Sequence, residues 1–88
     1  RRDRVAHERQ LAPFDALTAR ERDVLAELIH GRQVNEISRL LFVSEATVRT
    51  HVRAILLKLD VTSQLAAVAQ ATEAGWNRAA VEPRSWAN

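Results

Sequence analysis

The chain has 88 residues and no cysteine, which allows one small domain and excludes disulfides, thiolate metal sites and a thiol nucleophile. Its net charge is only +2, and no apolar run is long enough to span a membrane or to serve as a secretory signal. No alternating run of β-branched residues is bounded by turns, so we expect an all-α fold with a small core.

The N-terminal segment, residues 1–16, is charged and has few apolar positions. Pro13 should end any helix in this segment at about Ala12, because the residue before a proline disfavours helical backbone. The chain begins with Arg1 rather than Met. We therefore interpret residues 1–16 as a linker arm that follows an upstream domain.

The first helix of the expected domain has clear local signals at both ends. Thr18 and Glu21 have the spacing of a capping box, and Gly31 can supply the left-handed stop. Between these signals the apolar residues recur at helical spacing. They predict a buried stripe of Val24, Leu25, Leu28 and Ile29.

The next two helices are joined by a short connection. The second is expected over residues 34–41, and the third begins after Ser44, a good N-cap, and runs to about Leu59. The inward-facing residues of the second helix are predicted to be Ile37, Leu40 and Leu41. Only about three residues separate the two helices, a spacing that indicates a helix-turn-helix.

The third helix has two different faces. Its apolar stripe, which should be buried, consists of Val48, Val52, Ile55, Leu56 and Leu59. Its opposite face combines Ala46 and Thr50 with two arginines, Arg49 and Arg53. Small side chains let a helix approach another surface closely, and arginine can bind the O6 and N7 atoms of guanine in the major groove of DNA. We therefore expect Arg49, Thr50 and Arg53 to read bases, with Thr50 positioned for a thymine methyl group.

A second row of polar side chains lies along one flank of the third helix. Thr47, His51 and Lys58 are suited to phosphate oxygens, and Ser44 at the helix N-terminus adds another phosphate site. Residues 17–75 carry seven basic and seven acidic side chains, yet the segment from Ala46 to Lys58 has three bases and no acid. A local basic patch of this kind can attract phosphates even when the total charge is small.

Simpler explanations of these residues remain open. Glu45 lies four residues before Arg49, so the two can form an ion pair within the helix. Arg53 has no acid three or four positions away on either side, which favours a binding role. His51 or Lys58 taken alone would indicate only a surface residue.

The fourth helix, expected over about residues 63–74 and ending near Gly75, is apolar on two sides. One face consists of Leu65, Val68, Ala69 and Thr72, and the other of Ala67, Ala71 and Ala74. A helix of this kind usually contacts two partners, although richness in alanine alone also explains it. The remaining tail, residues 76–88, contains Trp76, a candidate to pack back on the domain, and Trp86 near the end.

Three segments resemble the LuxR-type DNA-binding domain of bacterial transcription regulators. They are LTARERDVL from Leu17 to Leu25, EISRLLFVSEATVRTHVRAILLKL from Glu36 to Leu59, and the following VTSQLAAVAQA. The resemblance covers about residues 17–75. It implies a four-helix bundle with a helix-turn-helix, preceded in the whole protein by a receiver or ligand-sensing domain.

The same resemblance implies roles for individual residues. It assigns Arg49, Thr50 and Arg53 to base contacts, and Thr47, His51 and Lys58 to the phosphate backbone, in agreement with the helical geometry. It also implies that the fourth helix forms a dimer contact, for which we expect Leu65, Ala67, Val68 and Ala71. Three residues depart from the family pattern: Val34 replaces a frequent Asn, Asp60 a frequent Gly, and Gln64 a common Arg.

Two other binding functions remain open. Region 4 of bacterial sigma factors has a related helix-turn-helix, but it usually ends soon after the recognition helix, whereas this chain continues into a fourth helix. A helical protein-interaction module is the second alternative, since arginine is also common at protein interfaces. An enzyme is not expected, because His7, His30 and His51 have no metal-like spacing and the chain has no glycine-rich phosphate loop.

The sequence thus predicts a bacterial, cytoplasmic transcription regulator that binds double-stranded DNA. We expect a homodimer on an inverted repeat, with RNA polymerase as a further candidate partner and with no cofactor and no membrane partner.

Overall fold

The computed structural model describes residues 8–78 of the chain, and all regular secondary structure in this part is helical. Residues 8–11 are helical and run into a 3-10 helix, Ala12–Ala16. The four longer helices are α1 (Ala19–Ile29), α2 (Val34–Leu41), α3 (Glu45–Leu59) and α4 (Gln64–Ala74). The all-α prediction is confirmed, and the change of helix type at Ala12 agrees with the expected effect of Pro13.

Local side-chain caps define the helix N-termini. At α1 the Thr18 amide donates to Glu21 Oε1 over 2.9 Å, and the Glu21 amide donates to Thr18 Oγ1 over 3.1 Å. Ser44 and Ser63 accept the third amides of α3 and α4, each over 3.0 Å. The predicted capping box and the predicted Ser44 cap are therefore present, and Ser63 caps α4 in the same way.

Left-handed residues end the helices. Gly31 and Gly75 have φ angles of 84° and 73°, as expected after α1 and α4. Asp60 ends α3 with φ 58°, and Phe42 ends α2 with φ 59°. A left-handed phenylalanine is unusual. At Phe42 it reverses the chain fast enough for α3 to begin three residues later.

The core lies where α3 packs against the other helices. α3 contacts α1, α2, α4 and the 3-10 helix, and α1 also contacts α4. The predicted stripes of α1 and α3 face inward, with Val24, Leu25, Val48 and Ile55 fully buried. Leu40 was wrongly predicted to face inward, because its side chain is 49% exposed while Ile37 is fully buried in the same helix. Because α2 packs mainly on α3, it buries about one apolar residue per turn, and Leu40 lies outside that contact.

Residues on both sides of the predicted range 17–75 pack against its helices. Phe14 and Trp76 are buried, and their rings stack with centroids 5.5 Å apart. Arg78 lies two residues after Trp76, and its Nε donates to Asp23 Oδ1 over 2.7 Å. This hydrogen bond connects the end of the described chain to α1. Phe14 thus packs on the domain from the segment interpreted as a linker arm, and Trp76 packs on the domain as expected. Trp86 lies outside the described residues.

Candidate nucleic-acid interface

The surface of interest is the outward side of α3. We call it the reading face and define it by Ala46, Arg49, Thr50 and Arg53, all of which are exposed. Val48, Ile55 and Leu59 on the other side of the helix are buried in the core. The core therefore fixes the rotation of α3 and turns both arginines toward solvent.

The side chains of the reading face make only weak contacts with the rest of the protein. Thr50 Oγ1 donates to the carbonyl oxygen of Ala46 over 3.1 Å, and Arg53 Nη2 reaches Thr50 Oγ1 at 3.5 Å. Arg49 Nη2 lies 3.2 Å from Glu45 Oε1, which is the ion pair that the sequence left open. Both partners of that pair are about half exposed, and an exposed pair of this kind contributes about 0–1 kcal/mol. Arg49 can therefore release Glu45 and pair with an anion that binds it more tightly.

An open cleft of about 290 Å³ runs beside the reading face. Its lining brings the N-terminal residues of two other helices, Val34 of α2 and Gln64 of α4, next to Arg49, Val52 and Arg53 of α3. Neither Val34 nor Gln64 is charged. The charged side chains that line this cleft therefore both belong to α3.

The N-terminus of α3 carries two of the predicted phosphate-binding hydroxyls. Ser44 Oγ accepts the Thr47 amide and also donates to Thr47 Oγ1, in each case over 3.0 Å. Ser44 is exposed and Thr47 half-buried. These bonds hold the two hydroxyls together at the positive end of the helix dipole, a location that favours an anion.

Lys58 has a partner that the sequence did not reveal. Its Nζ atom donates to Glu21 Oε1 over 2.7 Å, and the Glu21 side chain is only 7% exposed. Burial alone would raise the pKa of Glu21, but the hydrogen bonds from Lys58 and the Thr18 amide, with the nearby charges of Lys58 and His51, lower it below its ordinary value. Lys58 therefore neutralises a buried carboxylate. A phosphate contact by Lys58 would require this pair to be exchanged.

The predicted dimer residues of α4 fall on opposite sides of the helix. Ala67 and Ala71 are fully buried in the core of their own chain, so the prediction that they contact a second chain was wrong. Their small side chains let α4 approach the core closely. Leu65 is 79% exposed and Val68 half-buried, and they share the outward side with Ala69 and Thr72.

The described part of the chain comprises residues 8–78. Within that range, no group of three His, Cys, Asp or Glu residues could hold a metal ion. None of the helices found there is long and apolar enough to cross a membrane.

The fold and the reading face define a helix-turn-helix module of the kind found in DNA-binding regulators. Comparison with known proteins agrees, because residues 15–71 match the family described as bacterial regulatory proteins, luxR family. This match covers more than half of the chain. The chain belongs to the luxR family of bacterial regulatory proteins.

Three relatives illustrate the similarity. The uncharacterized transcriptional regulatory protein YhcZ of Bacillus subtilis (strain 168) is 43% identical over 66% of this chain and 27% of its own length. The nitrate/nitrite response regulator protein NarP of Escherichia coli (strain K12) is 49% identical over 62% of the chain and 26% of its own length. The transcriptional activator protein SolR of Ralstonia nicotianae (strain ATCC BAA-1114 / GMI1000) is 47% identical over 68% and 25%.

The chain therefore corresponds to about a quarter of the length of these relatives. All three relatives are described as regulators or activators, two of them as transcriptional, and together with the family match this supports DNA-binding transcription regulation for this domain.

Proposed function

We propose that the chain is the DNA-binding domain of a bacterial transcription regulator that reads a specific double-stranded sequence through α3. The observation that carries this proposal is the reading face, where two exposed arginines stand among side chains no longer than threonine. Such a surface fits the major groove, which is wide enough to admit an α-helix. In a bacterium the domain acts in the cytoplasm, where the chromosome lies.

The proposed roles of the individual residues follow from their contacts. Arg53 reads a base directly, because within residues 8–78 the one hydrogen bond of its side chain is the long contact with Thr50 Oγ1. Arg49 does so after releasing Glu45, and Thr50 offers its methyl group to a thymine. Ser44, Thr47 and His51 bind phosphates at the edge of the groove and fix the register of the helix.

We also propose that two copies bind an inverted repeat. The outward side of α4, centred on Leu65, supplies the contact between the copies, since a leucine that is 79% exposed loses apolar surface to water on association. With one α3 per half-site, the half-sites should lie about one helical turn of DNA apart.

The test is selection of bound duplexes from a random pool at physiological salt, followed by sequencing. The proposal predicts enrichment of a two-fold symmetric motif. The matched control pair is Arg53→Ala and Arg39→Ala, which each remove one exposed arginine, from the reading face and from α2 respectively. Arg53→Ala should lose preference at one base pair of each half-site, and Arg39→Ala should select the wild-type motif. Failure of the folded wild-type domain to enrich any motif would refute the proposal.

A further inference from the structure

Leu57 is an unexplained leucine on the outer side of α3. Its side chain is 82% exposed, although leucine is one of the residues most often buried. Leu57 follows Arg53 by four residues, Thr50 by seven and Ala46 by eleven, so it continues the outward stripe of the helix. The core therefore does not account for this leucine, and its position links it to the reading face.

The length of the stripe places Leu57 within reach of the same groove. With a rise of 1.5 Å per residue, Leu57 lies about 6 Å beyond Arg53 along the helix axis. Measured from the midpoint between Thr50 and Arg53, Ala46 and Leu57 are equally distant, about 8 Å in opposite directions. A helix centred on the groove at that midpoint brings both ends of the stripe equally close to the DNA.

The surroundings favour a nucleic acid over a protein as the occupant. No acidic residue occurs between Ala46 and Lys58, and Arg53 lies one turn away on the same stripe. The apolar group that a major groove offers is the C5-methyl of thymine. A leucine beside an arginine thus matches a thymine next to the base or phosphate that the arginine binds.

We propose that Leu57 contacts a thymine methyl at one end of each half-site and selects thymine there. This inference rests on the proposed function and adds a specificity residue beyond the three residues assigned to base reading. The contact removes apolar surface from water on both partners, and it discriminates against cytosine and purines by the absence of that methyl group.

The experiment isolates the methyl group. The motif selected by the wild-type domain is synthesised with deoxyuridine in place of each thymine in turn, which removes the C5-methyl and leaves base pairing intact. Dissociation constants are measured for the wild-type domain, Leu57→Ala and Leu40→Ala. Leu40 is a matched control, since it is an exposed leucine on α2 outside the reading face. Because all three proteins keep the same core, their thermal midpoints should agree.

For the wild-type domain and Leu40→Ala, the deoxyuridine substitution at the end of a half-site should weaken binding by about three- to fivefold. For Leu57→Ala the same substitution should change nothing, while the thymine duplex is bound less tightly by about the same factor. Equal sensitivity of Leu57→Ala and wild type to every substitution would overturn the inference, as would a motif without thymine at either end of its half-sites. In both cases specific binding by the wild-type domain would leave the proposed function intact. Absence of any selected motif would refute the proposed function itself.

Discussion

The ion pair between Lys58 and Glu21 leads to a prediction that separates a structural role from a DNA-binding role. Replacing Lys58 by methionine keeps most of the aliphatic stem and removes the ammonium group. Glu21 would keep the hydrogen bond from the Thr18 amide, but its buried carboxylate would lose the 2.7 Å contact with Nζ. We expect Lys58→Met to destabilise the fold and to leave the salt dependence of DNA binding unchanged.

The magnitude follows from the exposure of the two partners. A hydrogen bond to a charged group contributes about 1.5–3 kcal/mol to stability. The Lys58 side chain is 33% exposed, so water screens part of the interaction, and the lower end of about 1.5 kcal/mol applies. In a domain of this size that loss lowers the Tm by about 6–12 °C.

The pH dependence gives the prediction a second readout. The pKa of Glu21 lies below its ordinary value, so its contribution to stability is present above the pKa of the unfolded chain and is lost as pH falls through the folded pKa. In Lys58→Met the pKa of Glu21 should rise, because burial then acts with less opposition. The difference in stability between wild type and variant should therefore be full at pH 7 and shrink below about pH 4, where an unperturbed glutamate protonates.

The assay is thermal unfolding of wild type, Lys58→Met and Lys58→Arg from pH 3 to pH 8, with DNA binding measured over a range of salt. Lys58→Arg keeps the positive charge and should retain most of the stability. An unchanged Tm for Lys58→Met, with the slope of log K against log salt reduced by about one, would refute the structural role and restore Lys58 as a phosphate contact.

Three more variants test other parts of the account. Arg53→Ala should weaken binding to the selected duplex by about 1–3 kcal/mol and relax the sequence preference at one base pair. An equal loss of affinity on every sequence would argue against base reading. Leu65→Glu should abolish cooperative binding to the two half-sites. It should not lower the Tm, because the Leu65 side chain is largely exposed. Retained cooperativity would exclude this side of α4 from the dimer contact. Ala71→Leu should cost about 1–3 kcal/mol of stability by overpacking the core, as unfolding in urea would measure. A stable Ala71→Leu variant would contradict the burial of that face.

Helix boundaries were predictable because their signals are local. The capping box of Thr18 and Glu21, the serine caps and the left-handed stops each depend on residues within one turn of the helix end. The ion pair between Arg49 and Glu45 belongs to the same class, since four residues separate its partners. The order of the helices and the exposure of the reading face followed from these signals and from the apolar stripe of α3.

The remaining features depend on contacts between distant parts of the chain. Glu21 and Lys58 are 37 residues apart, and no local pattern distinguishes that pair from two surface charges. The stacking of Phe14 on Trp76 joins the two ends of the domain in the same way. On α4 both sides are apolar, so periodicity could not decide that Ala71 faces the core. That outcome depends on which side lets α4 approach α1 and α3 most closely.

The central claim is that the outward side of α3 is the nucleic-acid surface. The most direct measurement is titration of the ¹⁵N-labelled domain with the selected duplex, following backbone and arginine side-chain resonances by NMR. The account predicts the largest shifts at Arg49, Thr50 and Arg53, with smaller shifts at Ser44 and Thr47. Shifts concentrated on the exposed side of α2 around Leu40, with the α3 resonances unchanged, would contradict it.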